Sequence, residues 1–168
     1  MPNTFIKIAT VTVGSSGAAN IDFTNIPQTF TDLKLVFSTR IITGSQANIW
    51  YKFNNSTSSL SWRGLYGTGS AAGSNNGTTV GLLAGVTTAA NDTASVFASG
   101  EIYIPNYTSS NNKSSAVDNV GENNATASTV YLVANLWSNT AAINQITLYS
   151  DYNFAQYSEA TLYGITKA

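Results

Sequence analysis

Along most of this chain apolar and polar residues alternate with a period of two, and no window of about 11–18 residues holds a helical period. The alternation is clearest from Ala94 to Tyr107. Ala94, Val96, Ala98, Gly100, Ile102 and Ile104 fall on one side, and Ser95, Phe97, Ser99, Glu101 and Tyr103 on the other. Such a stretch predicts a long strand with one face in apolar packing. Pro105 lacks a ladder donor and ends it, and Asn106 favours the turn that follows. We expect this strand at the centre of the fold.

Other segments carry the same signature. Phe5 to Val13, the turn Gly14 to Gly17 and Asn20 to Phe23 predict an N-terminal hairpin. The connection through Asn25-Ile26-Pro27 and Thr29 to Asp32 is expected to cross between sheets. Leu33, Leu35, Phe37 and Thr39 alternate with Lys34, Val36, Ser38 and Arg40, with Ile41 and Ile42 as an extension. Asn48 to Phe53 is a strand, Asn54 to Thr57 a turn, and Leu60 to Tyr66 is expected to pair back on it. A weaker strand is placed at Val80 to Val86 and another around Val117 and Val120. Thr129 to Trp137 alternates throughout, with Val130, Leu132, Ala134 and Leu136 opposite Tyr131, Val133, Asn135 and Trp137. Ile143 to Tyr149, a turn at Asp151 to Asn153, and Glu159 to Thr166 complete the series. About eight to ten strands with frequent turn signals predict an all-β, single-domain antiparallel β-sandwich, jelly-roll-like rather than immunoglobulin-like.

Two stretches lack the pattern. Residues 67–79, GTGSAAGSNNGTT, have the composition of a flexible linker and are expected as a long Gly/Ser/Asn-rich loop. Residues 108–127 are expected as a largely polar loop.

Composition narrows the chemistry. The chain has no cysteine and no histidine, so it has neither disulfides nor thiolate metal sites, nor a Ser-His or Cys-His nucleophile pair. Charged residues are 9% of its 168 positions and the net charge is −1. Seven Lys and Arg make no basic stripe for nucleic acid. No apolar run reaches the ~18 residues of a membrane-spanning helix. Disorder is excluded by 43% hydrophobic and 11% aromatic residues. A nearly neutral surface of Ser, Thr, Asn and Gly favours stable association.

Candidate sites are few. Glu101 and Glu159 could face each other across sheets as paired carboxylates, but so could any two strand residues, and solvated or salt-bridged face residues account for them more simply. Asp118 and Glu122, among Asn119, Asn123 and Asn124, form an oxygen-rich stretch with weak resemblance to a calcium loop. Trp50, Trp62, Tyr66, Tyr103, Tyr107, Trp137 and Tyr152 suit sugar stacking, but suit a core or an interface better. No cofactor motif and no catalytic set stands out.

The segments GEIYIPNYTSSNNKS (Gly100–Ser114), ENNATAS (Glu122–Ser128), LWSNTAAINQITLY (Leu136–Tyr149), NFAQYSEATLYGI (Asn153–Ile165) and IPQTFTDLKLVFSTR (Ile26–Arg40) are more specific. Together they resemble small virion structural proteins of tailed phages, notably those of cyanobacteria and aquatic bacteria. Gly64 to Val86 matches least. The resemblance implies a non-enzymatic β-sandwich that decorates or cements the capsid shell, and whose location is the virion, assembled in the host cytoplasm. Its partners would be the major capsid protein or other virion proteins, and a symmetric oligomer, a trimer, is expected. A glycan- or receptor-binding module of a tail fibre or spike is the alternative. Partner contacts are expected from Tyr66, Asn75 and Asn76, from Tyr107, Asn111 and Asn112, and from Trp137.

Overall fold

Alternation becomes strand in twelve places across residues 4–78, 81–124 and 128–166, which the computed structural model describes. They are β1 (Phe5–Thr12), β2 (Ala18–Phe23), β3 (Asp32–Thr39), β4 (Ala47–Phe53), β5 (Leu60–Gly67) and β6 (Ala72–Gly77), then β7 (Leu82–Thr87), β8 (Ala98–Ile104), β9 (Lys113–Val120), β10 (Val130–Trp137), β11 (Ile146–Phe154) and β12 (Glu159–Ile165). There is no helix among the described residues. The strands form two antiparallel sheets, one of eight in the order β1-β12-β3-β8-β9-β10-β5-β6 and one of four in the order β2-β11-β4-β7. The protein is an all-β sandwich, with twelve strands rather than the expected eight to ten.

Eight of the strands nest as ribbons wound from the chain ends inward. β1 pairs with β12, β2 with β11, β3 with β8 and β4 with β7. These ribbons place β1-β12-β3-β8 opposite β2-β11-β4-β7, the wrapping of a jelly roll. The remaining four strands are two hairpins inserted into that body. β5–β6 lies between β4 and β7 in the chain, and β9–β10 between β8 and β11. Both join the β8 side of the same sheet and double its width.

The core lies between the sheets. Leu35, Phe37, Ile102, Ile104, Val117 and Val133 of the larger sheet meet Ile21, Ile49, Tyr51, Phe53, Leu82 and Leu148 of the smaller one. Two asparagines complete it. β7 pairs only with β4, so its other edge would leave buried backbone groups open. Asn135 from β10 accepts from Leu83 N at 2.9 Å and donates to Leu83 O at 3.1 Å, and Asn119 from β9 accepts from Val86 N at 2.8 Å. Side chains of the large sheet thus satisfy the edge of the small one, and every residue of β7 is buried.

Several expectations are corrected. The central strand begins at Ala98, not Ala94. Ser95 takes φ 63°, and the carbonyls of Thr93 and Val96 accept hydrogen bonds from the Arg40 guanidinium. Its place is as expected, inside the large sheet between β3 and β9. β1 and β2 are not a hairpin, because the turn between them carries the chain from one sheet to the other. β5 does not pair back on β4. Asn54 and Asn55, both at positive φ, redirect the chain into the other sheet, while Asn54 Oδ1 accepts from the backbone N–H groups of Asn144 and Gln145. Arg40 and Ile41 form only isolated bridges, to Thr88 and Phe154, and β11 runs through the turn expected at Asp151 to Asn153.

The glycine-rich loop is also corrected. Within 67–79, residues Ala72–Gly77 form β6, in register with β5. On the inner side of this strand two of three positions, Gly73 and Gly77, are glycines, and rings of the neighbouring strand cover them. Tyr66 lies opposite Gly73 and Trp62 opposite Gly77. A Cβ on Gly73 would meet the Tyr66 hydroxyl and ring at 2.6, 2.7 and 3.1 Å, and one on Gly77 would meet the Trp62 indole at 2.7, 2.9 and 3.0 Å. The rings can lie over the strand at these two positions because no side chain projects there. In the expected polar loop at 108–127, Lys113–Val120 is β9, a full strand around Val117. Thr79, Val80 and residues 125–127, which these expectations included, lie outside the described residues.

Candidate interaction surface

The inserted hairpins decide which side of the large sheet meets solvent. On β10, both alternating faces are apolar by residue type. Val133, Asn135 and Trp137 face the core, because Asn135 reaches the β7 backbone. Val130, Leu132 and Leu136 therefore face outward, exposed at 52%, 59% and 37%. Leu65 of β5 lies directly across from Leu132, and Val120 of β9 across from Val130. With Val36 and Tyr103 they are seven of the twelve large apolar residues exposed among the described residues, so exposed apolar surface is concentrated on one face.

That face mixes apolar, small polar and charged side chains. In register, one row runs Ser74, Leu65, Leu132, Asp118, Glu101, Val36 and Thr161, and the next Asn76, Arg63, Ala134, Ala116, Tyr103, Lys34 and Tyr163. Lys34 and Glu101 neutralise each other at 2.7 Å. Only shallow hollows mark the face. One of about 310 Å³ is lined by Arg63, Leu65, Ser74, Asn76, Leu132 and Ala134. Another of about 360 Å³ is lined by Leu65, Gly67, Asp118, Val130 and Leu132.

On its inner side the large sheet outreaches the small one. β7 lies over β8, β9 and β10 and touches β5, leaving β6 beyond it. There the rings of Tyr66 and Tyr131 stand 5.6 Å apart, both half-buried, and Asn75 donates to the Tyr131 hydroxyl at 3.1 Å. Asn75 Oδ1 and Trp62 Nε1 are buried without a hydrogen-bond partner among the described residues.

The expected contact residues divide accordingly. Tyr66 and Asn75 come together on this inner shelf, and Asn76 lies on the outer face beside Arg63. Asn111 and Asn112 are exposed in the turn between β8 and β9, separated from β6 by β10 and β5. Tyr107 and Trp137 are corrections, for both are core residues. Tyr107 is fully buried, its hydroxyl donating to Pro27 O, while its carbonyl accepts from Ile143 N at 3.0 Å. Trp137 packs on Phe53 and donates from Nε1 to Ser56 Oγ at 3.2 Å. Of the rings considered for sugar stacking, Trp62 is buried as well.

The candidate acids do not converge. Glu101 and Glu159 lie in the same sheet, on β8 and β12 with β3 between, instead of facing across sheets. Glu101 is paired with Lys34, and Glu159 accepts from Thr12 Oγ1 at 2.6 Å. Asp118 points out of β9 while Asn119 points in, so the oxygen-rich stretch does not gather these two side chains around one point. No group of three or more Asp and Glu side chains close enough to hold a metal ion occurs among the described residues.

Shifted ionisations are structural in setting. Burial raises Tyr51 far above the usual tyrosine range, with its hydroxyl bonded to Ser115 across the sheets at 2.6 Å. Tyr103 is raised chiefly by its hydrogen bond to Asp32, and Tyr107 and Tyr149 by burial. Lys113 is lowered by burial, although Ser109 O and Asn111 O accept from its ammonium at 2.7 and 2.6 Å.

Comparison with known protein families finds no match, and no curated protein sequence matches the chain.

The apolar outer face escaped sequence reasoning, which sought contacts in polar loops. The available signal was a strand apolar on both sides, Val130 to Trp137. Such a strand is either covered twice or left with one face for a partner.

Proposed function

We propose that this protein is a non-enzymatic structural component of a tailed-phage virion that decorates or cements the capsid shell as a symmetric oligomer. The observation that carries the assembly role is the broad outer face of the eight-stranded sheet, with Leu65, Leu132, Val130 and Val120 exposed together on its inserted strands. A patch of this kind marks a protein contact. The viral setting rests on the resemblance carried by Gly100–Ser114, Leu136–Tyr149 and Asn153–Ile165. The partners are then the major capsid protein or neighbouring virion proteins, with a trimer as the oligomer expected from the resemblance. Mass spectrometry of purified particles tests the reading. The protein is expected among the virion components in many copies, and its absence would end the proposal.

A second reading, a glycan- or receptor-binding module of a tail fibre or spike, is favoured by the inner shelf. Tyr66 and Tyr131 there form a half-buried ring pair braced by the Asn75 amide. A glycan array on the isolated protein separates the two, since a cement protein binds no sugar.

A further inference from the structure

We infer that the outer face of the inserted hairpins is a self-association surface, on which two copies of this chain pair about a two-fold axis beside Leu132. The inference deepens the assembly reading and rests on the same face, but it names a second copy as the first occupant. Three observations point to it. The area is right for one. β6, β5, β10, β9 and β8 are five adjacent strands centred on β10. At ~4.8 Å between strands and ~3.4 Å per residue they present roughly 600 Å² per copy, or about 1,200 Å² in all, the lower end of specific interfaces.

The shape is self-complementary. Leu65 and Leu132 stand side by side between the two hollows, so the leucine pair of one copy has a hollow of the other to enter. The charges are complementary too. Arg63 borders one hollow and Asp118 the other, one strand to either side of β10. Lying in the interface and inclined to β10, a two-fold axis that seats Leu65 on the second copy's Leu132 also brings Arg63 over the second copy's Asp118, twice by symmetry. The strands of the two copies then cross steeply, towards the orthogonal class of sheet packing.

Sedimentation velocity and light scattering of the full chain between about 1 and 100 µM test this. The expected mass is twice 17.7 kDa, or an even multiple of it. Leu132→Lys changes an exposed position and is expected to weaken association at least ~10-fold with an unchanged circular dichroism spectrum. Arg63→Asp and Asp118→Arg should each weaken it, and the double variant should restore it. A monomer at the highest concentration, a trimer without even-numbered species, indifference to Leu132→Lys, or failure of the charge swap to restore pairing overturns the inference. A monomer would also remove the oligomer from the assembly reading, but none of these results bears on whether the protein is present in particles, so the virion reading and the pairing fail separately.

Discussion

Replacing Asn135 by Leu removes the amide that satisfies the free edge of β7 while keeping the branched shape of the side chain. Asn135 is 4% exposed, and its amide holds both Leu83 N and Leu83 O at 2.9 and 3.1 Å. Leucine leaves both backbone groups buried without partners, and Leu83 is itself 1% exposed, so water does not replace the lost bonds. An unsatisfied buried group costs about 1–3 kcal/mol, and the added apolar burial offsets part of the two costs. The net loss expected is ~2–4 kcal/mol. In urea, with a slope near ~2 kcal/mol per molar for a domain of this size, the midpoint should fall by roughly 1–2 M. The melting temperature should drop by about 5–15 °C. Asn111→Leu, at an exposed turn position, is the control and should change stability by less than ~0.5 kcal/mol. If Asn135→Leu shifted the urea midpoint no more than this control, the asparagine would not be what closes the β7 edge.

Gly77→Val should destabilise by ~1–3 kcal/mol and shift tryptophan fluorescence, because the new side chain displaces the Trp62 ring. Strand propensity alone predicts the opposite sign, so a gain in thermal stability would refute the account of β6. Lys113→Met should cost ~1–3 kcal/mol in chemical denaturation by leaving the carbonyls of Ser109 and Asn111 without their donor, and an unchanged midpoint would contradict it. Stability should fall steeply above about pH 10. Tyr51, Tyr103, Tyr107 and Tyr149 titrate higher in the folded state than when unfolded, so above the ordinary value of 10.0 the unfolded chain binds fewer protons and is favoured. Lys113, lowered in the fold, gives a single opposing contribution up to its ordinary value of 10.5. Ionisation of these four tyrosines should then accompany the loss of the circular dichroism signal, and ionisation of every tyrosine without unfolding would contradict this.

The sequence by itself determined the class of fold, because alternation requires nothing beyond the chain's own residues. Leu33 to Thr39, Asn48 to Phe53 and Ile102 to Ile104 show their buried side in residue type alone, and these positions are core. The turns at Gly14–Gly17, Asn54–Asn55 and Pro105–Asn106 were legible for the same reason, since each is a local backbone preference. Partnership was not legible. β1 meets β12 and β2 meets β11 from opposite ends of the chain, and two short turns that suggest hairpins instead change sheets. β6 was invisible because two of its three inward positions are glycines, covered by Tyr66 and Trp62 of another strand. The orientation of β10 was undecided for a related reason. Both faces carry large apolar residues, and the hydrogen bonds of Asn135 to β7 turn Leu132 outward. Only the tertiary structure makes that choice, and with it the exposed face on which assembly is proposed.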